Sequence, residues 1–182
     1  MEAELKASSQ EIDILVVIDT DYVKSNYPNP SQDPNNPTGI DHNSQHMIAS
    51  NANVVSGQGT TYLNFSARAG DFVAFRGTSI YQNSDDAIII YNIKYWSGDQ
   101  VFNSFVYDAV TRQQAVVPNY DSSNGLPPNY ASITFSSFDS KVRNTGTENF
   151  YVQFALYTID PNNSNKQILY GYYYWDPTIT VK

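Results

Sequence analysis

Between residues 149 and 159 the side chains sort into two sets with a period of two. Phe150, Val152, Phe154 and Leu156 form one set, and Tyr151, Gln153, Ala155 and Tyr157 the other. An extended strand, whose successive side chains point to opposite faces, separates residues in this way, whereas a helix would spread them around its circumference. Rings in both sets predict that both faces are covered. β-rich runs recur at 12–19, 60–67, 71–76, 87–96, 101–107, 113–117, 131–138 and 166–175. Turn chemistry divides them, as at Gly57-Gln58-Gly59, Ser97-Gly98-Asp99 and Asp160-Pro161-Asn162-Asn163. No run shows a helical period. Many short strands without alternating helices predict an all-β fold, an antiparallel β-sandwich of jelly-roll-like character. Two long Pro/Asn-rich loops are expected at 24–59 and 118–130, the first with room for a short strand at 46–49.

A chain of 182 residues suits one domain, placed at 11–182, with the polar residues 1–10 expected to fray. The net charge of -8 supplies no basic surface for phosphate backbones or anionic lipids, which disfavours nucleic-acid and membrane partners. The absence of cysteine removes disulfides, thiolate metal sites and a cysteine nucleophile. Glu2 and Glu4 stand where a secretory signal would be basic, and the apolar run 14–18 is too short for its core, so a cytoplasmic location is expected. No apolar stretch approaches the roughly 18 residues that span a bilayer.

Most of the reactive chemistry lies between residues 19 and 46. Asp19 and Asp21, spaced i, i+2 at the end of a strand, would point the same way and offer two carboxylates to a hard cation such as Ca²⁺. The competing reading is that they cap loop amides. His42 and His46 have the i, i+4 spacing of paired zinc ligands, but Asn43 occupies the place where a zinc hydrolase needs its glutamate, and the Pro/Asn surroundings oppose a helix. Histidines that bond the loop backbone are the simpler expectation, with a metal-dependent hydrolase as a third-ranked function. No Gly-x-Ser-x-Gly elbow or phosphate-binding glycine loop is present. No catalytic residue and no resident cofactor are therefore expected.

The chain carries 15 Tyr, 9 Phe and 2 Trp. Rings with a polar tip suit both sugar rings and protein interfaces. Trp96, Tyr95 and Asp99, or the His42/His46 region, are candidate glycan ligands, and Tyr172, Tyr173 and Tyr174 a candidate self-association surface. Low charge density favours association of the chain with itself, as a homodimer or larger assembly. The run 90–96 echoes 169–175, each ending in Tyr-Trp, as equivalent strands of two sheets would.

Four segments together resemble the AidA/PixA family of bacterial proteins: residues 12–48, Gly70-Asp71-Phe72-Val73-Ala74-Phe75-Arg76-Gly77-Thr78-Ser79, Lys94-Tyr95-Trp96-Ser97-Gly98-Asp99, and Gly171-Tyr172-Tyr173-Tyr174-Trp175-Asp176-Pro177. The resemblance covers about residues 11–182. It implies a small protein, often under quorum-sensing control in host-associated bacteria, some of whose relatives accumulate as crystalline cytoplasmic inclusion bodies. It implies no known reaction. The expected function is thus a non-enzymatic, self-assembling protein linked to host interaction, with a lectin-like sandwich as the alternative.

Overall fold

The segment that begins the ordered chain shows why it folds in layers: Ile12, Ile14, Val16 and Ile18 are buried while the intervening Glu11 and Asp13 face solvent. Full burial of each such side chain stabilises the fold by about 1.5–3 kcal/mol. The computed structural model describes residues 9–182. The expected fraying at 1–10 falls mostly outside the described residues, although Gln10 is held by Asp71, which accepts its backbone N–H and its Nε2–H at 3.1 Å each.

In chain order the elements are β1 (Glu11–Ile18), α1 (Thr20–Asn26), β2 (Thr38–Gly39), β3 (Gln45–Ala49), β4 (Val54–Ser56), β5 (Leu63–Phe65), β6 (Phe72–Ser79), β7 (Ala87–Gly98), β8 (Val106–Asn119), β9 (Gly125–Lys141), β10 (Gly146–Asp160), β11 (Asn163–Trp175) and β12 (Thr178–Val181). One sheet has the order β3-β1-β6-β9-β8; the other runs β2-β11-β10-β12-β5-β4, with β7 along the second edge of β10. The sandwich expected from the sequence is present. Its sheets are mixed rather than wholly antiparallel, because β1 pairs β6, β11 pairs β2 and β12 pairs β5 in parallel.

The core lies between the two inner faces. Ile14, Val16, Met47, Val73 and Phe75 come from one sheet, and Phe150, Val152, Phe154, Leu156, Trp175 and Ile179 from the other. At one end Phe75, Phe102, Phe105 and Phe150 pack ring against ring, with centroids 5.5–6.2 Å apart.

Three local readings change. A short helix follows β1, started by Asp19, whose carboxylate accepts the Tyr22 N–H. Its seven residues are too few to set up a periodicity that a sequence scan detects. The runs 90–96 and 169–175 lie in one sheet, on opposite edges of β10. A bulge opposite Gln153 and Phe154, where Tyr91 is the extra residue, switches the face of the strand after Ile90, so that Trp96 points outward, 50 % exposed, while Trp175 stands opposite Val152 in the core.

The third change is the largest. Residues 118–130, expected as a loop, form the tip and return of a β8–β9 hairpin. The Asn119 carboxamide accepts Asp121 N–H, that of Asn124 accepts Leu126 N–H, and Gly125 takes a φ of +77°, so the turn closes within residues 120–124. Pro127 and Pro128 lie where the ladder is irregular between Val117 and Asn119, which spares the sheet the N–H groups they lack. β9 pairs β6 only from Phe138 to Lys141. Beyond Phe138 the two strands continue alone as an arm of roughly 40 Å, at about 3.3 Å per residue.

Candidate functional site

The turn after β1 gathers Asp19, Asp21, His42 and His46 without making them converge. Asp19 donates its backbone N–H to Ser44 O and caps the helix with its carboxylate. Asp21 lies in the first helical turn, where it accepts the Tyr81 hydroxyl at 2.6 Å, and this bond pushes the Tyr81 pKa up to about 12. An i, i+2 pair on a strand shares a face, but on a helix it diverges, so the expected bidentate pair does not form. Each carboxylate instead holds a partner of its own, Tyr22 N–H for Asp19 and the Tyr81 hydroxyl for Asp21.

The histidines also separate. His42 Nε2 lies 3.0 Å from Asp176 Oδ1, with its ring against Tyr62, whereas His46, on β3, bonds Gly59 O through Nδ1 at 3.1 Å. A carbonyl only accepts, so His46 carries its proton on Nδ1. Among the described residues no group of three or more His, Cys, Asp or Glu is placed to hold a metal. What organises this loop is Asp41, whose carboxylate accepts the Tyr22 hydroxyl at 2.7 Å, Asn43 N–H at 3.1 Å and Asn43 Nδ2–H at 2.7 Å. Burial would raise the Asp41 pKa, and these bonds more than offset it, leaving the carboxyl below its ordinary value.

The proposed glycan ligands divide across a sheet. Trp96, on the outer face, stacks on Tyr151 at 5.4 Å, and Tyr151 meets the edge of Tyr174 at 5.1 Å. Asn35, Asn36 and Pro37, with Tyr151, Gln153 and Tyr174 but not Trp96, line a shallow cleft of about 320 Å³. Tyr95, one residue earlier, lines a separate cavity instead. Asp99 belongs to neither: it accepts Thr147 N–H at 3.0 Å and holds the corner beside Gly146. Of the Tyr172–Tyr174 trio, Tyr172 and Tyr174 are half-buried on the outer face. Tyr173 is 0 % exposed and donates its hydroxyl to Tyr27 O at 2.8 Å. It is a core residue, so the expected assembly surface loses its middle member.

Two features escaped the sequence reading. One is the arm, which presents Val106, Val110, Val116, Tyr107, Tyr120, Leu126, Tyr130 and Phe135 to solvent. By register Val110 stands opposite Phe135 and Val116 opposite Tyr130, on different faces of the ribbon. Its signal was a β-rich stretch from 106 to 136 with only Asp108, Arg112 and Asp121 charged. The other is Glu148, which shares the inward face of β10 with Phe150 and Val152. One more step of the alternation places a carboxylate on an apolar face. Glu148 is 2 % exposed, and its Oε2 accepts Val101 N–H at 2.7 Å and Phe102 N–H at 3.0 Å. Burial raises its pKa, opposed by those two bonds and by Arg143. It lines, with Tyr95, Phe105 and Arg143, a cavity of about 860 Å³.

The sequence profile of the PixA family, described as inclusion body protein, matches residues 10–181. The crystal structure of the PixA inclusion body protein from Burkholderia cenocepacia J2315 is similar over the whole fold. It is 34% identical, with a TM-score of 0.77, over 99% of this chain and 100% of that one. No functionally curated protein matches the sequence. With the profile spanning nearly all of the two-sheet domain and a solved relative sharing its architecture end to end, the chain belongs to the PixA inclusion body protein family.

Proposed function

We propose that this chain is a non-enzymatic protein that self-associates, accumulates in cytoplasmic inclusions and acts toward a host rather than in metabolism. The β8–β9 arm is the observation that carries the assembly reading. An isolated two-stranded ribbon is marginally stable in water, and this one exposes large apolar side chains on both faces and along a free β8 edge. Its four exposed rings alone present on the order of 500 Å² of surface, and the aliphatic side chains bring the patch near the roughly 800 Å² that each partner contributes to a stable interface. Three charges over 31 residues give little repulsion between copies. A second copy of the chain satisfies both the apolar faces and the open edge, and repeated contacts of this kind lead to an ordered inclusion.

The test replaces residues 113–132 by Asn-Gly, a two-residue hairpin turn that closes on the Arg112–Ile133 pair. Multi-angle light scattering of the full chain should give a dimer or larger species, and the shortened chain a folded monomer. Electron microscopy of expressing cells should show inclusions only for the full chain. A full chain that stays monomeric at millimolar concentration would sink the proposal.

A further inference from the structure

We infer that the cavity floored by Glu148 is a binding site for a neutral pyranose sugar. This inference does not rest on the arm, which lies on other strands. Glu148 is 2 % exposed as a residue, and its two oxygens differ: Oε2 accepts from both Val101 and Phe102 N–H, whereas Oε1 has no hydrogen-bond donor among the described residues and keeps access to the cavity. Oε1 is therefore a free charged acceptor at the cavity surface, and a hydroxyl group reaching in donates to it in a charge-assisted hydrogen bond. The volume of about 860 Å³ falls in the range of small-molecule sites.

The walls define the ligand class. Tyr95, half-exposed, is the aromatic wall available to the C–H side of a sugar ring, and Phe105, packed against Phe75, Phe102 and Phe150, backs the apolar part of the cavity. Gln100, Asn103 and Arg143 line the opening with amide and guanidinium donors. Arg143 Nη1 already donates to Gln100 Oε1 at 3.1 Å, which fixes the Gln100 carboxamide and leaves its NH₂ to donate outward. Acceptor floor, donor rim and aromatic wall match a ring that carries hydroxyls around an apolar face. A cationic ligand would meet Arg143, and an anionic one Glu148, so a neutral ligand fits best. The site differs from the cleft at Tyr151 and Tyr174, which is shallower and lies on the opposite face of the same sheet.

The experiment uses the full chain against an array of neutral glycans. Methyl glucoside, galactoside and mannoside are then titrated by calorimetry. Spermidine and sialic acid serve as charged probes. A neutral sugar should bind, and Tyr95→Ala should weaken it by about tenfold or more, as loss of an aromatic wall does at a binding hot spot. Tyr95 is half-exposed, so this variant keeps the fold. Glu148→Gln should weaken the same sugar. Because it also touches the bonds to Val101 and Phe102, Arg143→Ala provides an independent check at the rim. Binding of spermidine or sialic acid in place of neutral sugars overturns the assignment of ligand class. A blank array, or a bound sugar indifferent to Tyr95→Ala and Arg143→Ala, overturns the site. Neither result bears on the oligomeric state, which the shortened arm tests separately.

Discussion

Replacing Phe135 and Tyr130 together by serine should dissociate the assembly while leaving the sandwich intact. The two residues stand on different faces of the arm, with exposures of 44 % and 64 %. With roughly 200 Å² per ring side chain, the pair presents about 200 Å² of apolar surface, or about 400 Å² across a two-fold dimer. At about 25 cal/mol per Å² that corresponds to about 10 kcal/mol if the surface is fully covered. Association never realises the whole of such a figure, since ordering and desolvation oppose it. A third of it, about 3 kcal/mol, still weakens binding more than a hundredfold. Within the monomer the loss is smaller, about 0.2–1 kcal/mol for each cross-strand partner given up, Val110 for Phe135 and Val116 for Tyr130. Sedimentation velocity from about 1 to 100 μM reads the shift in dissociation constant directly. A thermal melt within a few degrees of the parent shows that the core has survived. If the variant associates as tightly as the parent, the arm is not the interface and its apolar faces need another explanation.

Other parts of the fold give sharper local tests. A Cβ at Gly171 overlaps Pro30 Cβ and Cγ, so Gly171→Ala should push the segment around Pro30 off β11 at about 1–3 kcal/mol. The bonds Tyr172 N–H to Ser31 O and Gln32 Nε2–H to Tyr170 O would be lost, and limited proteolysis between residues 27 and 38 should speed up; an unchanged cleavage rate contradicts this. Burial would raise the Asp71 pKa, but Arg68 N–H, Gln10 N–H and Gln10 Nε2–H hold it below the ordinary value. Its contribution is therefore present above pH 3.8 and lost as the pH falls through the folded value. Asp71→Asn should cost about 1–3 kcal/mol in urea unfolding at pH 7 and flatten the acid limb of the stability curve. Glu148 has the opposite sign: its raised pKa means a contribution fully present below pH 4.5 that is lost as the pH rises through the folded value. The stability of Glu148→Gln relative to the parent should thus climb with pH across that window, and a pH-independent difference would show that the carboxyl is not perturbed.

The sequence by itself determined the layered β architecture, the division of β10 into two faces, and the family. Each is written locally: strand geometry converts a period of two into two faces, and resemblance needs no contacts at all. Tertiary structure decided which faces are covered and which residues meet. Tyr173 reads as one of three equivalent tyrosines, yet the second sheet lies over its side of β11 and leaves Tyr172 and Tyr174 outside. His42 and His46 are four residues apart, but their partners, Asp176 and Gly59, come from distant segments. The arm was unreadable because Pro118, Pro127 and Pro128 are loop residues by local chemistry; only the end of pairing with β6 at Phe138 frees two strands to run on past them. Glu148 belongs to the same class, since its bonds to Val101 and Phe102 cross more than forty residues of chain. A period of two fixes the direction of a side chain, and only the packing of one sheet on another decides whether that direction leads to core, cavity or water.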